Sequence, residues 1–247
     1  AGEVVHYSPF NGTNCPGYLY TENGFWDTFR AVFPFLTVMY PDVDAQIMAG
    51  LANVIRESGW LPEWASPGHR NCMIGSHSAS IIADAYLKGI SIPDIDMLYQ
   101  GILKNSEQEG PLESVGRAGV NAYNRLGYVP CDGGLNETAA RTLEYAYDDY
   151  AISLLARALR RPSGEVKRFA DRALNYRNLY DRQTGFMRGR RADGCFREPF
   201  DPFAWGGDFT EGNSWQFTWF VPHDVAGLCR LIGGRARFCE KLDGLFA

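Results

Sequence analysis

The chain has 247 residues, 45% of them hydrophobic, with a formal net charge of −5 and a pI near 5.4. That is apolar material for one large domain or two small ones, and the acidic balance argues against a surface built for nucleic acid, which needs clustered Lys and Arg. No apolar run approaches the roughly 18–20 residues of a membrane span, since the greasiest stretch, 31–40, contains Pro34 and runs into Pro41.

In chain order, the apolar spacing predicts helices over 26–39, 42–59, 76–88, 94–108, 112–126, 136–159, 165–175, 222–232 and 237–246, about nine in all. The clearest is 42–59, where Val43, Ile47, Leu51, Val54 and Ile55 share one face. Asp42 or Asp44 is its expected cap, and Gly59 suits a left-handed exit. In the longest, Asn136 is the expected cap, Glu137 favours the positive end of the dipole, and Leu143, Tyr147, Tyr150, Leu154 and Ala158 form the stripe. Long loops over 8–24, 59–75 and 180–213 are rich in Gly and aromatics, which favours ordered, packed loops over disorder. No linker divides the chain. The last helical pattern stops at Ala247 without a capping glycine, proline or polar tail, and no signal peptide precedes Ala1. The sequence is therefore expected to be a portion of a longer or processed protein.

Six cysteines (Cys15, Cys72, Cys131, Cys195, Cys229 and Cys239) include no C-x-x-C pair, so spacing gives a zinc cage little support. Bridges and buried thiols both remain open. The Arg clusters Arg160–Arg161 and Arg188–Arg190–Arg191 read as solvated loop charges.

Three clusters can carry chemistry. The first is Phe209-Thr210-Glu211-Gly212-Asn213-Ser214-Trp215-Gln216, continuing to His223 and Asp224. A Glu held against aromatic rings loses hydration, which raises its pKa and suits it to donate a proton as a glycosidase acid does. The plain alternative is an aromatic junction with Glu211 in a structural hydrogen bond. In the second, Trp26-Asp27, the ring can lie on sugar C–H groups while the carboxylate accepts from hydroxyls; alternatively Asp27 caps a helix and Trp26 staples it. In the third, His77 near a helix start is a ligand donor or a satisfied structural histidine, Ser76 is a candidate cap, and Asp84–Lys88 is an ordinary helix-surface pair. Nucleotide loops and a G-x-S-x-G elbow are absent from the sequence.

These strings, together with Gly59-Trp60-Leu61-Pro62-Glu63-Trp64, Gly127-Tyr128-Val129-Pro130 and Asn175-Tyr176-Arg177-Asn178, resemble glycoside hydrolase family 92. The densest match is Glu211-Gly212-Asn213-Ser214-Trp215-Gln216 through Pro222-His223-Asp224, and the matches follow family order from about Gly17 onward. The resemblance implies an all-α, incomplete (α/α)6 toroid forming one catalytic domain. It also implies inverting, exo-acting hydrolysis of α-mannosides assisted by Ca²⁺, in an extracytoplasmic (secreted or periplasmic) setting. It makes Glu211 the general acid, places Asp27 and Trp26 in the terminal mannose subsite, and adds His77, Trp215 and Gln216 as weaker substrate contacts. The implied partner is an α-linked mannose oligosaccharide or N-glycan.

Two family segments, glycine-asparagine-glutamate-proline and the base-bearing glycine-asparagine-aspartate-aspartate, are absent from the sequence, as is the N-terminal β-sandwich. An inverting enzyme needs a second carboxylate to activate water. The expectation is that this chain alone is inactive and needs a complementary chain or further sequence, with most calcium ligands outside it. A non-catalytic carbohydrate-binding or interaction module of the same fold is the alternative.

Overall fold

The computed structural model describes residues 2–246. In chain order the elements are β1 (Val5–Tyr7), β2 (Asn14–Pro16), β3 (Asn23–Gly24), α1 (Phe25–Thr28), α2 (Val32–Met39), α3 (Pro41–Ser58), β4 (Trp64–Ala65), α4 (Ser78–Leu87) and α5 (Ile95–Glu107). There follow α6 (Val120–Leu126), α7 (Thr138–Ala158), α8 (Ser163–Arg172), a 3₁₀ turn (Asn175–Leu179), β5 (Tyr180–Asp181), β6 (Phe186–Met187), α9 (Ser214–Phe217), α10 (Val225–Ile232) and α11 (Arg235–Asp243). The all-α class holds. The strands, which the sequence pattern did not announce, form three antiparallel pairs, β1–β2, β3–β4 and β5–β6.

Two compact units emerge, Ala1–Asn121 with Ala151–Arg168, and Ala122–Tyr150 with Phe169–Ala247. In the first, α2 packs on α3 and α4, and α3 and α4 both pack on α5. Its core holds Phe33, Met48, Leu51, Leu61, Ile82, Leu98 and Ile102. In the second, Tyr123, Val129 and Tyr145 form a buried cluster edged by Leu135, and α9 packs on β6 while α10 packs on α11.

Several local expectations change. The predicted 26–39 helix breaks between α1 and α2, where Ala31 leaves helical geometry at φ −141°. Neither Asp42 nor Asp44 caps α3. Pro41 occupies the first turn, where its missing N–H costs nothing, and the cap falls on Tyr40. Gly59 does take the left-handed exit, at φ 81°, donating to the Ile55 carbonyl. α7 starts at Thr138, so the cap position is Glu137, at φ 60°, and Asn136 lies outside it. Of the predicted 112–126 helix only α6 forms, because Gly116 and Gly119 adopt left-handed backbone ahead of it. Ser76 is not a cap either; its hydroxyl accepts from Arg117 Nε at 2.8 Å. The Lys88–Asp84 pair is present at 2.7 Å.

The first unit is tied together at Glu63. Its carboxylate accepts from the Ser78 backbone N–H (2.9 Å) and hydroxyl (2.8 Å) at the start of α4, and from Asn105 Nδ2 on α5 (2.9 Å). Its own carbonyl accepts from Phe25 N–H at the start of α1 (3.1 Å). A carboxylate at the positive end of a helix is favoured by the backbone dipoles as well as by these bonds. Glycine is obligatory nearby, since a Cβ on Gly24 would lie 2.1 Å from the Trp64 ring across β3–β4.

Asp44 is fully buried in α3, and neither of its oxygens has a hydrogen-bond partner. Burial, reinforced by Asp84 and opposed by Lys88, pushes its pKa up to about 6.

Two measurements check these readings. Glu63→Ala strips acceptors from the Ser78 N–H and the Asn105 amide, and urea unfolding is expected to show a loss of about 2–3 kcal/mol. For Asp44, the folded chain holds the proton more tightly than the unfolded chain. Its stability penalty is therefore absent below about pH 4, grows as pH rises to about 6, and then levels off. Asp44→Asn mimics the protonated form, so it is expected to raise the urea midpoint at pH 8 and to leave it nearly unchanged at pH 4.

Candidate functional site

In the second unit, Glu211 sits on a loop whose ends are clasped by Gly206 N–H donating to the Gly212 carbonyl at 2.8 Å. The loop is seated on the start of α7. Ala139 and Ala140 N–H both donate to the Asp208 carbonyl (3.0 and 3.1 Å), and Glu137 N–H donates to the Gly207 carbonyl (2.8 Å). Those are N–H groups that a helix start leaves without intrahelical partners. On the other side, α9 is anchored to β6. Ser214 Oγ donates to the Met187 carbonyl (2.6 Å), and Met187 N–H donates to Thr218 Oγ (3.1 Å).

Within this frame Glu211 is exposed and its backbone is left-handed, at φ 47°. The expectation of a carboxyl desolvated by aromatic rings is thus corrected. The rings turn the other way, Phe209 stacking on Phe217 at 5.4 Å inside the unit, and leave the Glu211 side chain in solvent. A non-glycine residue in the left-handed region is strained, and such strain gathers at functional positions.

The neighbours of Glu211 divide by task. Gln216 closes a capping box on α9, its Oε1 accepting from Asn213 N–H (3.1 Å) while Asn213 Oδ1 accepts from Gln216 N–H (3.2 Å). Trp215 packs edge-on against Phe186 at 4.8 Å, and Lys241 Nζ lies 4.5 Å from the Trp215 ring centroid. Trp219 lies beyond the end of α9 and packs on Phe238 instead. Asp224 caps α10 through Gly227 N–H (2.8 Å) and accepts from Tyr176 OH (2.8 Å) and Arg177 (3.1 Å). Burial pushes its carboxyl up, but those hydrogen bonds outweigh it and hold the pKa below the ordinary range. A carboxylate so engaged is a poor general base.

Three features near Glu211 escaped the sequence reading. Asp208 is partly buried, with Thr138 Oγ donating at 3.1 Å and Arg197 Nε at 3.1 Å; desolvation outweighs both and raises its pKa. It fits only because Gly189 has no side chain, as a Cβ there would lie 2.0 Å from Asp208 Oδ2. A cavity of about 140 Å³ opens beside it, lined by Arg188, Arg197, Phe200, Asp201 and Asp208 among others. Phe203 and Trp205, at 69% and 68% exposure, present aromatic faces on the same loop rather than packing inward. Only the adjacency of Asp208 to Glu211 in the sequence hinted at this group. Arg188, expected in solvent, is instead buried between Asp181 (2.8 Å) and Glu198 (2.6 Å), with its guanidinium 4.3 Å from the Phe200 ring centroid.

In the first unit, Trp26 and Asp27 lie inside α1, with Gly24 at the cap position, so Asp27 is not a capping residue. Asp27 is exposed and Trp26 half-buried, with the Arg30 guanidinium 5.2 Å from the Trp26 ring centroid. His77 is 1% exposed, its ring stacked on Phe29 at 3.9 Å and 9°. A Cβ on Gly75 would lie 2.3 Å from His77 Nε2, so the imidazole is sandwiched between a phenyl ring and backbone. Exposed Asp27 beside Trp26 can meet a hydroxylated ligand, whereas His77 is buried against Phe29.

Calcium requires six to eight oxygen ligands. Among the described residues, the one group of three side chains able to hold a metal is His6, Cys15 and Glu57, a nitrogen–sulfur–oxygen set. No three carboxylates among the described residues gather at metal-binding distance. All six cysteines are free thiols, and among the described residues no helix is long and apolar enough to cross a membrane.

The catalytic-domain model of glycosyl hydrolase family 92 matches residues 1–247. A family GH92 inverting mannosidase of Bacteroides thetaiotaomicron superposes with a TM-score of 0.93 at 45% identity, over 98% of this chain and 33% of its own. A GH92 α-mannosidase of the same organism, solved with mannoimidazole, gives 0.88 at 33% identity, over 95% of this chain and 32% of its own. An uncharacterized secreted glycosidase of Arthroderma benhamiae is 30% identical, over 79% of this chain and 29% of its own. The chain thus spans about a third of the length of these relatives. With matches to the family model over all 247 residues and to its solved members over nearly as many, the chain belongs to glycosyl hydrolase family 92.

Proposed function

We propose that this chain supplies the general-acid portion of an inverting, exo-acting α-mannosidase, with Glu211 as the acid. The observation that carries the reading is the presentation of Glu211. It is an exposed carboxyl on a strained turn, fixed from both sides by the α7 start and the α9–β6 anchor, on a loop that also displays Trp205. An acid must be held at the departing oxygen while remaining open to substrate, and an apolar ring beside it suits the C–H face of a hexose. Membership of a family whose solved members include mannosidases supports the substrate class. Full desolvation of Glu211 would then come with the bound sugar rather than from the chain's own rings.

In this reading the terminal mannose is held by Asp27 and Trp26, and the substrate is an α-linked mannose oligosaccharide or N-glycan met outside the cytoplasm. The base and the oxygen ligands for Ca²⁺ come from sequence or a complementary chain beyond these residues. Asp208 and Asp224 do not replace the base. Asp224 is committed to capping and to Tyr176, and Asp208 is paired with Arg197. That last point also favours a second reading, a carbohydrate-binding module without catalysis.

Glu211→Gln in the longer enzyme is expected to cut kcat on mannosides with poor leaving groups by about 10²–10⁴-fold, and by much less on activated aryl mannosides. Unchanged turnover on both would remove Glu211 from the role. The 247-residue chain by itself is expected to release no mannose with or without calcium; measurable release would show that it carries its own base. Calorimetric binding of mannose oligosaccharides by this chain, combined with full activity of the Gln variant in the longer enzyme, would favour the binding-module reading.

A further inference from the structure

The β1–β2 hairpin pairs Val5 with Pro16, His6 with Cys15, and Tyr7 with Asn14. Directly opposed residues of an antiparallel pair carry their side chains on one face, with Cβ atoms about 4.5–5.5 Å apart. His6 and Cys15 therefore project together, and Glu57, in the last turn of α3, meets them. His6 Nε2 lies 2.8 Å from Glu57 Oε1, and one donor atom from each of the three side chains falls within 4.8 Å of the others. The His6 and Glu57 side chains are 9% and 8% exposed, and Cys15 is half-buried.

Two observations point to a cation here. His6 Nδ1 is 2.9 Å from the Gly17 carbonyl, which can only accept, so Nδ1 carries a hydrogen. In a neutral imidazole Nε2 is then a lone pair aimed at a carboxylate oxygen, and the contact needs a positive centre: a shared proton or a metal ion. An imidazole oriented by Nδ1–H on a backbone carbonyl is also the arrangement that readies histidine ligands. Secondly, Glu57 Oε2 is buried without a hydrogen-bond partner, on a side chain more than nine-tenths buried beside a thiol. Coordination would occupy those lone pairs. The sulfur is prepared as well, with Asn11 Nδ2 donating towards Cys15 Sγ at 3.6 Å.

We propose that His6 Nε2, Cys15 Sγ and the Glu57 carboxylate bind one zinc ion, with water in the fourth position. Imidazole plus thiolate selects zinc over calcium or magnesium, and three protein ligands leave one tetrahedral position open. Bond lengths near 2.0–2.3 Å require His6 and Glu57 to part by about half an ångström, and binding expels the Cys15 proton to solvent. The ion staples the hairpin to α3. This site is independent of Glu211 and of the mannosidase reading.

The purified chain, stripped with EDTA, is to be titrated with Zn²⁺ by calorimetry and with Co²⁺ by visible absorption. The expected result is one ion per chain, a thiolate-to-cobalt charge-transfer band, and a higher thermal midpoint with zinc. Cys15→Ala, at a half-exposed hairpin position, is expected to fold, to lose the band, and to bind zinc about a hundredfold more weakly. Glu57→Gln keeps the side-chain shape and is expected to weaken zinc comparably. Should that variant fail to fold, Cys15→Ala decides alone. The proposal is overturned if binding is not saturable, or if no charge-transfer band forms. It is also overturned if Cys15→Ala binds as tightly as the parent, which would place the ion at another thiol such as exposed Cys195 or Cys239.

Discussion

A helix start leaves backbone N–H groups that no earlier turn can satisfy, and both units of this chain are arranged around supplying acceptors to one such start. In the first unit the acceptor is a side chain: Glu63 reaches the beginning of α4 and at the same time fixes the entry to α1 through its carbonyl. In the second it is backbone: Gly207 and Asp208 turn their carbonyls onto the beginning of α7. Each solution has a consequence for chemistry. Glu63 holds Trp26-Asp27 at the mouth of α1, and the Gly207–Asp208 seat holds the loop that displays Glu211. What reads as helix capping is therefore also the positioning of the groups that would meet a sugar.

Much of this was legible because it is local. Apolar spacing placed α3, α5 and α7, and Gly59 announced its left-handed exit, since periodicity and backbone freedom are properties of a few neighbouring residues. The stretch around Glu211 stood out for the same reason, a carboxylate set among aromatics and glycines. What stayed hidden depends on partners distant in sequence. The α1–α2 break at Ala31 was masked by continuous apolar spacing, although Pro34, in the first turn of α2, lacks the N–H that would carry one helix through it. Burial of Arg188 depends on Asp181, Glu198 and Phe200, which turn a solvated-looking basic cluster into the internal scaffold of a loop. Asp208 needed Gly189 and Arg197 to become a partly buried acid, and His6, Cys15 and Glu57 needed hairpin register plus the end of α3 to meet.

The expectation for Glu211 erred in an instructive way. Composition correctly indicated aromatic company, but neighbours in sequence alternate between inward and outward on a turn. Phe209 and Phe217 went in and Glu211 went out. Desolvation of an acid is a property of the closed, loaded site, and an aromatic-rich segment provides the wall without itself supplying the dryness.

The left-handed backbone at position 211 has an energetic meaning. Glycine or asparagine tolerates that geometry with less strain than glutamate, by a margin on the order of 1 kcal/mol. Exchanging the glutamate for glycine would relax the turn, so the chain carries this carboxyl at a cost in stability. Glutamate at so uncomfortable a turn stands against the preference of the fold.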